Sequence, residues 1–341
     1  LCMCFFFQAE DGIRVLVRSR GLGDVYKRQT LLASVILVSI IIIILSIAGG
    51  SKGFSAPGTE EIAEKDTIRS NMPYKLPEKL TFAGEEVPLD NFDTRESLDR
   101  ELLTSAYRHS STILIIKRAN RYLPVIEKIL AENNIPDDFK YLAAAESEYS
   151  NMISPAGATG FWQIMKATGR EEGMEINEEV DERYSLERST KFACDYFRKS
   201  YEKYGNWTLA AASYNGGRAA LNEQIMIQKQ NNYYDLLLAE ETARYIFRAL
   251  AYKLIITDPG EYGFTLKSDE LYPELKYFEV EVDTAVTDFS QFAQKFGTNY
   301  KLLKFLNPWL RKPYLSNRQN KKYIIKIPAD GMRKIEQSEA Y

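Results

Sequence analysis

Hydrophobic and polar positions divide the chain into stretches of different character. Leu31 to Ala48 is an uncharged apolar run, LLASVILVSIIIIILSIA. It would be about 27 Å long as a helix, at roughly 1.5 Å per residue, which nearly spans a hydrocarbon core. A transmembrane or signal-anchor helix is therefore expected over 31–48. Residues 49–95 scatter Gly49, Gly50, Gly53, Gly58, Pro57, Pro73, Pro77 and Pro88 among polar positions with no sustained period, which predicts a flexible tether. Helical periodicity then fills most of 96–256, with helices expected at 96–118, 121–133, 137–149, 188–204, 207–215 and 242–256 between Pro, Gly and Asn breaks.

After residue 270 the pattern changes. Phe278, Val280 and Val282 alternate with Glu279 and Glu281, as in a half-buried strand. Phe289, Phe292, Ala293 and Phe296 follow at helical spacing, with Gly297 as a stop, then a second helix over Asn299–Leu306 and a last strand over Tyr323–Pro328. The expected fold class is mainly α: a helical domain over 96–270 and a small α+β unit of order βααβ over 275–330.

Composition changes the picture at the N-terminus. Gln8–Arg14 resembles the in-frame translation of a common sequencing-library adapter, and Ser19–Gln29 that of a transposase-type adapter, in the right order. Residues 1–29 are therefore read as an artefact and set aside. The net charge of −3 becomes −5, because five basic and three acidic residues go with them, and Cys194 is left as the only cysteine. One thiol makes neither an internal disulfide nor a zinc site, so no metal is expected. The mildly acidic balance without a basic run argues against nucleic acid as a partner. The single histidine, His109, lies in a polar stretch and reads as a surface or structural residue. Ser46-Ile47-Ala48 has the small-residue pattern of a signal-peptidase site, so cleavage after Ala48 and a retained anchor both stay open.

The candidate chemistry begins at Ile135–Tyr149, where a proline and two acids favour a helix start. At roughly 100° per residue, Phe139, Leu142, Ala143 and Tyr149 share one stripe with Glu146 near its centre, while Glu148 points the other way as a solvated residue. A carboxyl among apolar neighbours loses hydration, so its pKa should rise above the ordinary value of about 4.3. That is the property of a general acid working near neutral pH. A buried glutamate paired with an arginine fits the same helix. Trp162 suits either a sugar platform or the core, with the core favoured, and Asp181 with Arg183 reads as a structural pair.

Glu146-Ser147, then Ser154–Met165 (SPAGATGFWQIM), Val180–Arg183 and Ser213–Gly217 (SYNGG), and finally Glu241-Thr242 with Tyr245, resemble the lytic transglycosylase family related to goose-type lysozyme. The resemblance covers roughly 120–256. It implies a lysozyme-like helical catalytic domain with Glu146 as catalytic acid and base, and a substrate cleft lined by Ser147, Gln163, Tyr214, Asn215, Glu241 and Tyr245. Gly157 and Gly160 would let the backbone approach the ligand, and Tyr252 is expected in the core. The implied substrate is peptidoglycan glycan, cut between N-acetylmuramic acid and N-acetylglucosamine without water to leave a 1,6-anhydro end, with no cofactor. No second carboxylate has a comparable setting in the sequence. Hydrolysis of the same bond and a non-catalytic wall anchor are the rival readings. The C-terminal unit resembles a LysM module, although Asp283-Thr284-Ala285-Val286 stands where that family has Gly-Asp-Thr-Leu. The substrate places the catalytic domain in the periplasm, tethered to a membrane through 31–48.

Overall fold

A computed structural model of the chain describes residues 74–334. The adapter-like leader, the apolar run 31–48 and the tether up to residue 73 lie outside them. Among the described residues no helix is long and apolar enough to cross a membrane.

The end of the expected tether is folded. Leu76, Leu80, Phe82, Val87 and Leu89 are buried in the main core, but their irregular spacing gives no period to read. Thr81–Phe82 (β1) and Glu85–Glu86 (β2) form a hairpin across Ala83 and Gly84, both at positive φ as a tight turn requires. The hairpin is pinned at both ends. Asp138 accepts the Ala83 amide at 2.8 Å and Lys253 at 2.8 Å. Glu85 accepts the backbone amides of Trp207 (2.6 Å) and Thr208 (2.9 Å), so a remote carboxylate caps the start of the helix at 207.

Two long helices follow, α1 (Phe92–Tyr107) and α2 (His109–Glu132), joined through Arg108. The break expected near 119–120 is absent. Asn120 spends its side-chain amide on the Tyr272 carbonyl at 3.0 Å instead of interrupting its own backbone. Pro124 is accommodated inside α2, and the Thr112 hydroxyl bonds the Ser105 carbonyl across the corner at Arg108. A 3-10 turn at Asp137–Phe139 leads into the short α3 (Lys140–Ser147). Then come α4 (Lys166–Glu171), α5 (Leu186–Tyr204), α6 (Trp207–Gly216), α7 (Arg218–Gln228) and α8 (Glu240–Thr257). The patterning had not separated α4 and α7, which bury only Gly169 and Leu221 respectively and so show no apolar stripe.

α8 is the hub and packs against α1, α3 and α6. Its close approach to α6 is allowed by Ala210, Ala211 and Ala212, all fully buried. Phe139, Leu142, Ala143, Ala144 and Tyr149 are fully buried, so α3 runs through the middle of the domain. Trp162 is likewise in the core, its indole N–H donating to Thr190 at 2.9 Å.

The C-terminal unit has the expected βααβ order. Strands β3 (Tyr277–Val282) and β4 (Tyr323–Pro328) pair antiparallel from Tyr277 opposite Pro328 to Val282 opposite Tyr323. Between them lie α9 (Phe289–Lys295) and α10 (Tyr300–Leu306), capped by Asp288 and Asn299. Its core gathers Phe289, Ala293, Leu303, Leu315, Ile325 and Ile327, and it also takes in Val180 from the helical domain. Around that contact Asp181 N–H donates to the Trp309 carbonyl and Arg311 N–H to Glu179. Glu175 pairs with Lys321, Glu187 with Lys326, and Arg311 lies 3.9 Å over the Tyr184 ring.

Candidate active site

Glu146 is the penultimate residue of α3, and the way that helix ends builds the site. Glu148 and Tyr149 both adopt left-handed backbone at φ 53°, which costs roughly 1–2 kcal/mol at each non-glycine position. Burial of the Tyr149 ring and the bond from its hydroxyl to the Lys140 carbonyl at 3.2 Å hold the turn in place. The turn brings Glu148 back towards the cleft, where Arg108 meets its carboxylate at 2.7 Å and Arg118 meets its carbonyl at 3.1 Å. Glu148 is thus half-buried and ion-paired, contrary to the expectation of a solvated residue. The 100° step that turned it outward stops applying where the helix stops.

Glu146 and Glu148 line a cleft of about 340 Å3 with Glu101, Arg108, Arg244 and Arg248. Burial pushes the pKa of Glu146 up to about 7; the neighbouring Tyr245 hydroxyl opposes the rise, the charge of Glu241 adds to it, and Arg248 opposes it. Larger cavities of about 520 and 540 Å3 lie beside α2 and at the junction with the C-terminal unit, but the raised carboxyl is in the smaller cleft.

The other expected site residues divide by what their polar atoms already do. Tyr245 is buried beside Glu146, and its hydroxyl makes no hydrogen bond to the described residues. Glu241 is exposed at the first turn of α8, close enough to act on Glu146. Asn215 has its Oδ1 bonded by the Thr242 hydroxyl at 2.9 Å, which fixes the amide. The Tyr214 hydroxyl donates to the Trp162 carbonyl at 2.6 Å, within an aromatic cluster of Trp162, Tyr196 and Phe197. Burial raises its pKa well above the usual tyrosine value, and the nearby Glu146 adds to that. Ser147 is fully buried; its hydroxyl bonds the Phe161 carbonyl at 2.8 Å and the Ala143 carbonyl at 3.2 Å. Gln163, at φ 46°, spends its amide N–H groups on the Gly160 and Met152 carbonyls. Ser147, Gln163 and Tyr214 therefore shape the loop 150–165. Tyr252 is in the core, as expected.

Gly160 serves the same loop. Its φ is +86°, and a Cβ there would lie 2.0 Å from the Arg183 carbonyl oxygen. The backbone approach that it permits is to Arg183, where a ligand had been expected. Arg183 itself is gripped by Asp181 through two bonds of 2.9 and 2.7 Å, and its remaining N–H groups reach the Gly157 and Ile164 carbonyls. The pair is structural, as expected, and clamps the loop from behind.

Four residues of the cleft had escaped the sequence reading. Glu101 is 1% exposed and accepts Arg244 at 2.7 Å. Arg244, Arg248 and Arg108 surround it and Glu148. The signal for Glu101 was of the kind that found Glu146: a carboxylate in the stripe Leu98, Leu102, Ser105 of α1.

Two family models match the chain. Residues 124–237 match the transglycosylase SLT domain, and residues 278–331 match the soluble lytic transglycosylase C-terminal LysM-like domain. The first includes α3 and the loop 150–165 but ends before α8. Membrane-bound lytic murein transglycosylase D of Escherichia coli strain K12 is 27% identical over 234 residues, covering 66% of this chain and 50% of that protein. The protein of that name from Escherichia coli O6:H1 gives the same figures. The chain thus spans about half the length of the curated relatives it matches. Two solved structures each overlap 44% of this chain and 26% of their own: the 70 kDa soluble lytic transglycosylase of Escherichia coli at 17% identity (TM-score 0.34), and an inactive mutant of the lytic transglycosylase Slt of Pseudomonas aeruginosa at 18% (TM-score 0.35).

Proposed function

We propose, from a chain that carries a transglycosylase SLT domain followed by a lytic-transglycosylase LysM-like domain, that it cleaves peptidoglycan glycan strands with Glu146 as the only acid and base. The observation that carries this reading is a carboxyl raised to about 7 in a cleft whose other lining carboxylates, Glu101 and Glu148, are each held by arginine. A glycosidase that recruits water needs a second carboxylate free to activate it or to attack the sugar. Neither Glu101 nor Glu148 is free in that sense.

In the first step Glu146 gives its proton to the glycosidic oxygen between N-acetylmuramic acid and N-acetylglucosamine, and the bond from that oxygen to the muramyl C1 breaks. The positive charge developing at C1 is met by the carbonyl oxygen of the muramyl N-acetyl group. In the second step the Glu146 carboxylate takes the proton of the muramyl C6 hydroxyl as its oxygen closes on C1. The products are a 1,6-anhydro end and a free N-acetylglucosamine end. Glu146 is left protonated again, and no water is consumed.

Asn215 presents its amide N–H group to the substrate's N-acetyl carbonyl, since Thr242 holds the other end of that amide. Tyr245 steadies the Glu146 carboxylate formed between the steps, and Glu241 meets sugar hydroxyls at the rim. Ser147, Gln163 and Tyr214 act on substrate through the loop they hold. The domain works on the periplasmic side, tethered through residues 31–48, and its LysM-like unit holds the strand.

Glycan release from isolated sacculi tests the role of Glu146. Glu146→Gln keeps the shape and loses the proton, so release should fall by about 1,000-fold, whereas Glu148→Gln should cost about tenfold through Arg108. Equal release by Glu146→Gln and the unaltered chain would show that Glu146 is not the catalyst.

A further inference from the structure

The arginines that line the cleft around Glu146 are not equally partnered. Arg108, Arg244 and Arg248 line it, against the carboxylates of Glu101 and Glu148 and a Glu146 that is protonated below about pH 7. Arg108 is matched by Glu148 at 2.7 Å, and Arg244 by Glu101 at 2.7 Å and Glu240 at 3.2 Å. Arg248 is different. Among the described residues its guanidinium comes only within 3.7 Å of Glu101, through Nε to Oε2, while Arg244 and Arg100 both take Oε1 of that carboxylate. Glu101 anchors the side chain and leaves most of its donor fork unused.

Arg248 stands three residues after Tyr245 on α8, so it lies one turn along the same face from the tyrosine beside Glu146, and it acts on the Glu146 carboxyl as well. A guanidinium is the side chain that takes a carboxylate through two parallel hydrogen bonds. We infer that Arg248 is a specificity-determining residue that binds a carboxylate of the substrate beside the scissile bond.

This rests on the proposed function, which fixes where a carboxylate can come from. The muramyl sugar carries a lactyl ether at C3. In a strand stripped of peptides the lactyl group is itself a free carboxylate; in an intact strand it is an amide, and the nearest carboxylates belong to the stem peptide. Both sources offer Arg248 the same chemistry.

Binding is measured with the full chain carrying Glu146→Gln, so that turnover does not intervene. Three strand preparations are compared: with stem peptides, stripped to the free lactyl carboxylate, and stripped then methyl-esterified. Adding Arg248→Gln should weaken binding about tenfold to at least one carboxylate-bearing strand and less than twofold to the esterified one. The strand that loses affinity identifies the source. Arg248→Lys, which keeps the charge and lacks the fork, should fall between. Thermal melting of each variant, unchanged within a few degrees, reports that the fold is intact, and KM of the chains with Glu146 restored should follow the same order. No loss on any strand, or equal loss on all three, overturns carboxylate recognition and leaves the role of Glu146 standing. A Glu146→Gln chain that binds no strand, with an unaltered chain that releases no glycan, overturns both.

Discussion

Burial raises the Glu146 carboxyl to about 7, and Tyr245 and Arg248 work against that rise. In the proposed mechanism the acid form is the active one for the first step, so kcat/KM should fall about tenfold per pH unit above roughly 7. Tyr245→Phe removes a hydroxyl that favours the carboxylate and should move this limb to higher pH; a pH–rate profile with the limb unmoved or lowered contradicts the assignment. Stability follows the same sign. Between the unfolded value of about 4.3 and about 7 the folded chain binds more protons than the unfolded one, so stability falls as pH rises through that window. Glu146→Gln should therefore match the unaltered chain below about pH 4 and exceed it above pH 7 by on the order of 2 kcal/mol, allowing for water at the cleft mouth. Denaturant unfolding at the two pH values reads this directly. At this scale the sequence showed Glu146 because its helix stays regular up to that residue. It misplaced Glu148 because the left-handed backbone of Glu148 and Tyr149 is a property of the buried turn, with no glycine to announce it. Arg244 and Arg248 flank the Tyr245, Ala249, Tyr252 stripe as ordinary surface arginines would, and only the position of α1 against α8 gives them a cleft to face.

Elements position the site through two devices that periodicity does not reveal. One is the loop 150–165, clamped between Arg183 behind and the hydroxyls of Ser147 and Tyr214 in front. Gly160→Ala would force a Cβ against the Arg183 carbonyl at a backbone angle that disfavours it, and should destabilise the chain by about 3 kcal/mol. Thermal or denaturant unfolding checks this, and a change under about 0.5 kcal/mol would mean that the clamp is slack. The other is the hairpin at 81–86, whose Glu85 caps α6. Glu85→Ala should cost about 1–2 kcal/mol and loosen α6, the helix that carries Tyr214 and Asn215. Helices α5, α6 and α8 were legible to within a few residues, because each sets a buried face against the core. The hairpin was hidden by proline and glycine, and the α1–α2 corner by a long apolar register that continues through Asn120.

In the whole molecule, the segment Val180–Arg183 joins two tasks. Asp181 and Arg183 clamp the active loop, while Val180 inserts into the core of the C-terminal unit and the Asp181 amide bonds Trp309. The sequence singled out this segment by resemblance and gave no sign of its second use, since docking depends on residues more than 100 positions away. Val180→Asp should unseat the C-terminal unit at a cost on the order of 3 kcal/mol and speed proteolytic cleavage between the two units around 265–276. Unchanged cleavage would mean that the seam contributes little. All of this holds one raised acid in a cleft whose other lining carboxylates are tied to arginine, and the product records whether the proposed chemistry is how the chain works. Sacculi digested by the full chain in 18O-labelled water should give muropeptides with 1,6-anhydro ends, one water lighter than hydrolysed products and free of the label. Labelled, reducing muramyl ends as the main product would contradict the account.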